Sequence, residues 1–361
     1  ITDLVLLLFH QPEVIKKYFG DGSEFGVHIT YVTPLEDFGT AGAVKAAAKH
    51  LDERFMIISG DLLTDFDLSK AIAFHEKKQA KATITLTAVT DPLQFGVVIT
   101  DKESRITKFL EKPGWGEVFS DTINTGIYIL EPEVLELIPE GENRDWAKDV
   151  FPKMLENADD LFGCALQGYW ADIGNPEAYL EACQDICHGR VTVKVHEPAR
   201  STEERIFISP DAQVDEQARL SGMVVLGGNT RIEGNASLTN CVVGRNCQIE
   251  EGVKLEDAIL WDNVYIQAGT RITGSNLGHR VRVGKNSVIE SGVVIADETM
   301  VGDDVNIRPN VRIWPRKVIE SGSTVSTNLI WGEKWRKSLF EGALVRGMTN
   351  VELTPEFSAR L

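Results

Sequence analysis

The chain has 361 residues, 43% of them hydrophobic, with a formal net charge of −17. That length holds two or three domains, each able to bury a core of its own. The acidic excess excludes nonspecific binding to nucleic acid or anionic membrane, because both are negative and need a basic face. A phosphate-bearing substrate must be held locally instead, by metal ions and backbone amides. The five cysteines, Cys164, Cys183, Cys187, Cys241 and Cys247, are odd in number and lack the paired short spacings of a zinc site, so a reducing cytosol fits them.

In chain order, the apolar opening Leu4–Phe9 is too short for a membrane span and has no basic run before it, so it reads as a buried strand. A strand beginning almost at residue 1 suggests a chain cut from a longer parent. Short β-branched runs then alternate with helical segments up to about residue 185, the pattern of a mostly parallel sheet covered by helices. Strands are expected at Asp3–Phe9, His28–Val32, Phe55–Ser59, Ala82–Ala88, Gly96–Thr100, Ile123–Ile129 and Phe162–Ala165. Helices are expected at Pro12–Phe19, Gly42–His50, Leu68–Gln79, Glu131–Leu137, Trp146–Glu156 and Pro176–His188. Asp67 is the natural N-cap of the third. Residues 186–204 read as a linker.

From about residue 205 to 329 helical periodicity gives way to aliphatic residues every six positions. Val283, Ile289, Ile295, Val301, Ile307 and Ile313 form one unbroken series. Leu226, Ile232, Leu238, then Val243, Ile249, Leu255, then Leu260, Ile266, Ile272 repeat the spacing with small phase shifts. This hexad marks a left-handed parallel β-helix, in which each side of a triangular coil sends one side chain inward. After Thr327 the hexad stops, and Trp331, Trp335 and Phe340 would cap the coil or leave it.

Chemistry is expected where strands end, since open α/β sheets place their ligands there. Asp61 follows its strand through Ser59-Gly60 and is either a ligand or a turn residue; Asp172, ahead of the helix at Pro176, has the same two readings. Two such carboxylates would suit Mg²⁺, which takes one or two carboxylates plus phosphate oxygens. Gly39-Thr40-Ala41-Gly42 offers backbone amides at a helix N-terminus, suited to an anion or a nucleotide edge. Glu111-Lys112-Pro113 could pair a sugar acceptor with a phosphate-neutralising lysine or be a solvated charge pair, and Asn124-Thr125-Gly126 could serve a ligand or only a turn.

Six motifs taken in order, Gly39-Thr40-Ala41-Gly42, Ser59-Gly60-Asp61, Phe95-Gly96-Val97-Val98, Phe109-Leu110-Glu111-Lys112-Pro113, Asn124-Thr125-Gly126-Ile127-Tyr128 and Trp170-Ala171-Asp172-Ile173-Gly174, resemble the sugar-phosphate nucleotidyltransferase family. Within it the mannose-1-phosphate guanylyltransferases, which carry a hexapeptide β-helix, are most similar. The resemblance covers about residues 1–330 and implies an α/β, Rossmann-like catalytic domain (1–185) followed by the β-helix (205–329). It implies that Asp61 and Asp172 hold Mg²⁺, that Glu111 and Lys112 contact the sugar and its phosphate, that Gly96, Asn124 and Thr125 form the sugar pocket, that Gly39 to Gly42 lie along the nucleobase and ribose, and that Gly60 is among the substrate-binding residues. The implied partners are a nucleoside triphosphate, GTP favoured, and a sugar 1-phosphate, in a cytoplasmic homo-oligomer that binds neither nucleic acid nor membrane.

The family's glycine-rich, arginine-bearing loop after its first strand does not occur in this sequence, so a truncated and inactive chain is expected. Residues 330–361, with Phe340-Glu341-Gly342-Ala343-Leu344-Val345-Arg346-Gly347, resemble the opening of a phosphohexomutase domain, as in a bifunctional fusion. Three alternatives remain. Uridine or adenosine with glucose 1-phosphate would use the same metal site. A noncatalytic subunit could bind nucleotide sugar. A β-helix acyltransferase would need a catalytic histidine, and His279, at a break in the hexad, is the only histidine within the repeats.

Overall fold

The structure, a computed structural model, describes residues 1–114, 116, 120–195, 199–201, 205–331 and the short pieces 334–335, 340–341 and 344–345. The chain forms two compact units, Ile1–Trp170 and Ala171–Leu361. The division falls ahead of the last helix, which the sequence reading grouped with residues 1–185.

In the first unit, β1 (Asp3–Leu7) and β2 (His28–Val32) pair in parallel across α1 (Pro12–Phe19), whose proline sits where a missing N–H costs no bond. Then come α2 (Gly39–Ala46), β3 (Phe55–Ile58), β4 (Leu62–Thr64) and α3 (Leu68–Lys78), with Asp67 accepting from Ser69 N at 3.2 Å as the cap. β5 (Ala82–Ala88), β6 (Gly96–Thr100), β7 (Ile106–Glu111), β8 (Thr122–Leu130), α4 (Phe151–Glu156) and β9 (Leu161–Ala165) complete it.

The main sheet runs β7-β6-β8-β5-β9, with β3 also on β8. The expectation of a mostly parallel sheet is corrected here: only β5 and β9 run parallel in it, while β3, β5 and β6 all meet β8 antiparallel. The links explain this. Residues 101–105 between β6 and β7 are too few for the crossover that a parallel pair requires, and they close a hairpin. β8 is wedged among three neighbours, and its alternation feeds both faces: Tyr128 and Leu130 pack with Trp146, Phe151 and Met154, whereas Ile127 and Ile129 pack with Phe66 and Ala71.

Two expected helices take other forms. Residues 132–137 form a 3₁₀ segment, and residues 146–156 divide into a π-turn over Trp146–Val150 and α4, where Pro152 supplies no N–H for a continuous α ladder.

β10 (Trp170–Asp172) spans the division, and α5 (Pro176–Cys187), capped by Asn175, opens the second unit's ordered structure. Beyond it lies a parallel β-solenoid. One face stacks Val214, Ile232, Ile249, Ile266, Val283, Val301 and Ile319. A second stacks Leu220, Leu238, Leu255, Ile272, Ile289, Ile307 and Val325. The third stacks Ile208, Leu226, Val243, Leu260, Leu277, Ile295 and Ile313. The hexad read from the sequence therefore takes one residue from each face in turn.

Corners are turned by left-handed residues such as Asn246 (φ 55°), Asn263 (φ 64°) and Asn310 (φ 61°), a conformation that asparagine tolerates better than most. Buried hydroxyls bridge successive coils: Thr270 Oγ1 donates to Gly284 O (2.7 Å) and accepts from Ser287 N (3.2 Å). α5 lies on the third face, with Tyr179 against Trp261 (centroids 6.0 Å apart) and Glu177 paired to Arg312. Trp331 is 74% exposed and leaves the coil. The side chains of Trp335 and Phe340, and most of the mutase-like tail, lie outside the described residues.

Candidate active site

Several of the expected residues converge at the ends of β3, β6, β7 and β8. Beyond β3 the chain turns through Ser59-Gly60, and Asp61 emerges exposed, its carboxylate without a partner among the described residues. Beside this turn lies Gly126 (φ 78°), whose carbonyl accepts from Ser59 N at 3.2 Å. A Cβ on Gly126 would come within 3.0 Å of Ser59 Oγ, so glycine is what lets the Asn124-Thr125-Gly126 run reach the Asp61 turn.

Asn124 is folded back on its own strand, donating from Nδ2 to Tyr128 Oη (2.9 Å) and accepting from Gly126 N (3.0 Å). Thr125 is fully buried and turned into the sheet, its Oγ1 donating to Thr85 O at 2.9 Å. Its carbonyl accepts from Trp170 Nε1 (2.9 Å), so Thr125 braces this end of the sheet from beneath.

Gly96 and Glu111 stand opposite each other in the β6–β7 hairpin. A side chain at Gly96 would sit 3.0 Å from Glu111 Oε2 and 2.9 Å from the Phe109 ring, so its absence makes room for the carboxylate. Burial first, and the Asp145 charge second, raise the Glu111 pKa above the usual carboxylate range, against the opposing pull of Lys112 and Lys148. Lys112 follows with φ 45°, an unusual backbone for a lysine, fixed by its N–H donating to Phe95 O at 3.2 Å.

The start of α2 differs from expectation. Three of its first four amides are not free for an anion: Gly39 N donates to Asp37 Oδ1 (2.9 Å), and Ala41 N and Gly42 N both donate to Arg144 O (2.8 and 3.2 Å). The glycines admit this incoming loop. A Cβ on Gly39 (φ 66°) would meet Arg144 O at 2.6 Å, and one on Gly42 would meet Glu142 O at 2.4 Å. Thr40 stays exposed and donates from Oγ1 to Asp145 Oδ2 at 2.9 Å. Sequence reasoning passed over Asp145. The signal was available, because an aspartate just ahead of a helical run is an N-cap pattern.

Asp172 belongs to the second unit, exposed, with Oδ1 accepting from Gly174 N at 2.9 Å. No cluster of three or more His, Cys, Asp or Glu side chains suited to a metal occurs among the described residues. Mg²⁺ does not need one, since it keeps waters and shares phosphate oxygens, and the exposed, unpartnered Asp61 fits as one of its ligands. A separate concavity of about 550 Å³ in the second unit is lined by Asp215, Glu233, Glu251 and Arg231, a mostly acidic wall that disfavours phosphate. His279 packs its ring against Trp261 (4.9 Å between centroids), as a structural residue of the coil does. No helix among the described residues is long and apolar enough to cross a membrane.

A layered α/β unit with carboxylates and glycines at its strand ends, followed in the chain by a parallel β-solenoid, defines a two-part α/β and solenoid architecture. Residues 1–189 match the nucleotidyl transferase family and residues 203–307 match the EIF2B subunit epsilon LbH domain. A mannose-1-phosphate guanylyltransferase of Mycobacterium tuberculosis is 31% identical over 74% of this chain and 69% of its own length. A UTP–glucose-1-phosphate uridylyltransferase of Synechocystis is also 31% identical, over 76% and 75%. A probable mannose-1-phosphate guanylyltransferase 2 of Oryza sativa is 29% identical over 89% and 85%. The chain belongs to the nucleotidyl transferase family.

Proposed function

We propose that the protein transfers a nucleotidyl group from a nucleoside triphosphate to a sugar 1-phosphate, releasing pyrophosphate, with GTP and mannose 1-phosphate as the favoured pair. The observation that carries this reading is the approach of the Asp61 turn to the Asn124–Gly126 run at one end of the sheet.

The acceptor phosphate is already an anion, so no general base is needed. The protein's task is to place two mutually repelling phosphates in line and to screen the charge that develops. Asp61 and Asp172 are each assigned to Mg²⁺ by their motifs. The ion, when bound, supplies charge neutralisation at the phosphate oxygens. Lys112, held in its left-handed turn, presents its ammonium to the acceptor phosphate, and Glu111 binds sugar hydroxyls in the space that Gly96 leaves. Asn124 lines the sugar pocket, with Thr125 bracing it from within the core. The Gly39–Gly42 segment and Gly60 shape the nucleotide side. With the amides of Gly39, Ala41 and Gly42 engaged, α2 offers Thr40 and contour rather than an anion hole.

UTP with glucose 1-phosphate is a second reading, favoured by the uridylyltransferase relative at the same identity. The tail resembles only the opening of a phosphohexomutase domain and is assigned no mutase activity; a complete domain of that kind would convert hexose 6-phosphate to the 1-phosphate used here. A cytoplasmic location, in keeping with five free cysteines, and a homo-oligomeric assembly complete the reading.

The test is pyrophosphate release with Mg²⁺ by a form of the protein that carries the family's glycine-rich loop, comparing GTP plus mannose 1-phosphate against UTP or ATP plus glucose 1-phosphate. Release confined to the guanosine pair is expected. Release with the uridine pair alone would replace the assignment, and silence with every pair would leave only a nucleotide-sugar-binding subunit.

A further inference from the structure

Between the α2 segment and Glu111 stands a carboxylate to which none of the motifs gives a role. Asp145 uses both of its oxygens. Oδ1 accepts from Ala147 N (2.9 Å) and Lys148 N (3.1 Å), capping the π-turn, while Oδ2 reaches across to accept from Thr40 Oγ1 (2.9 Å). Thr40 Oγ1 accepts in return from Trp146 N (3.2 Å). The neighbouring backbone is tied the same way, with Arg144 N donating to Phe38 O at 2.9 Å and Asn143 Nδ2 donating to Asp37 O at 2.9 Å.

We propose that Asp145 is a positioning residue of the transfer site, fixing the nucleotide-side segment Phe38–Gly42 relative to the sugar-side carboxylate Glu111. The proposal rests on the transfer reading given above and concerns a residue which that reading leaves unused. A cap alone does not explain the choice of residue. Serine or asparagine caps as well, and neither would bring a second negative charge toward a half-buried glutamate. The extra charge has an effect at the site, since it pushes the pKa of both the Glu111 carboxyl and the buried Tyr128 hydroxyl upward. Burial is the larger cause at each, and Lys112 and Lys148 oppose the effect at Glu111 while the Asn124 hydrogen bond opposes it at Tyr128. Asp145 therefore acts on the two subsites differently, through a hydrogen bond on one side and a field on the other.

Two variants separate these actions. Asp145→Asn keeps a capping oxygen and the side-chain size but loses the charge. Asp145→Ser keeps the cap and is too short to hold Thr40. Steady-state kinetics over a pH series in the form that carries the glycine-rich loop, with thermal unfolding of each variant alongside, reads both. Asp145→Asn should move the Glu111 limb of the sugar 1-phosphate kcat/KM profile to lower pH, because removing a like charge eases ionisation. Asp145→Ser should raise the nucleoside triphosphate KM by roughly tenfold, the scale of one lost charge-assisted hydrogen bond, and by more than it lowers kcat. Thr40→Val should reproduce that KM change without moving the pH limb.

An active wild type whose pH limb and KM values are unchanged in the aspartate variants overturns the positioning role alone. So do variants whose kcat falls in step with their melting temperature, which would make Asp145 a structural cap. A wild type carrying the glycine-rich loop that turns over no substrate pair overturns the transfer reading, and the positioning role with it.

Discussion

Hydrogen bonds in the first unit join residues far apart in the chain: Thr40 to Asp145, Arg54 to Glu131, Trp170 to Thr125. In the solenoid they step to the adjacent coil, as Arg280 does to Glu298, Ser287 to Gly302 and Thr270 to Gly284. The same chain thus ties its polar groups together in two ways. Short-range repetition makes the solenoid modular, with each coil resting on its neighbours. Long-range closure makes the first unit a single cooperative object, in which one residue can hold two strand ends together. A substitution in the first should stay local, and one in the second should spread.

The largest expected effect is on chemistry without stability. Asp61→Asn should lower kcat by about a hundredfold or more, a loss of several kcal/mol of metal-assisted charge stabilisation, and leave the melting temperature unchanged because the side chain is exposed and unpartnered. Steady-state assays with a parallel melt check both halves, and full activity in the variant would remove Asp61 from the metal site.

Next comes Leu277→Ala, a fully buried solenoid position whose truncation should cost about 2–5 kcal/mol. If the units differ as argued, calorimetry will show the solenoid transition falling while that of the first unit holds. Coordinated loss of both would erase the contrast.

Gly42→Ala should cost about 1–3 kcal/mol, because the new methyl meets Glu142 O at 2.4 Å and must push the 142–144 loop aside. Here the damage should spread to Thr40 and Asp145, so nucleotide KM should rise together with the loss of stability.

The smallest effect expected is that of pH. His75 is fully buried between Thr83 Oγ1 (2.8 Å) and Glu131 (3.1 Å), near Arg54 and Glu76. Burial, aided by Arg54, lowers its pKa below the ordinary value of 6.5, although both glutamates pull the other way. Since the folded pKa lies below the unfolded one, the stability His75 lends is complete above the unfolded value of about 6.5 and is lost as pH falls through the folded value. The first unit's melting temperature should fall a little over that window and the solenoid's much less, and a His75→Gln variant should flatten the difference.

What the sequence disclosed follows the same division. Val283 through Ile313 announced three faces and their order because an inward position recurs at a fixed step. The small phase shifts, such as Leu238 to Val243, are corners one residue shorter. In the first unit, strands and helices were legible one at a time, since each is written in its own stretch, and Asp61 and Glu111 stood out at strand ends. The direction of β8 was not legible, because three partners compete for it and only the closed sheet decides among them. Nor could Gly39 and Gly42 reveal their purpose. The carbonyls they make room for, on Glu142 and Arg144, come from far along the chain, so a packing requirement looked like an anion-binding loop.

The parallel stacking of the coils has one more consequence. Each coil adds one interstrand spacing, roughly 4.8 Å, along the solenoid axis. Every face meets its neighbours through the same aliphatic column, so inserting or deleting a whole coil changes reach and leaves the inward chemistry as it was. The solenoid is in this sense a ruler graduated in single turns, whose length can drift over generations while the carboxylates and glycines of the first unit keep their places.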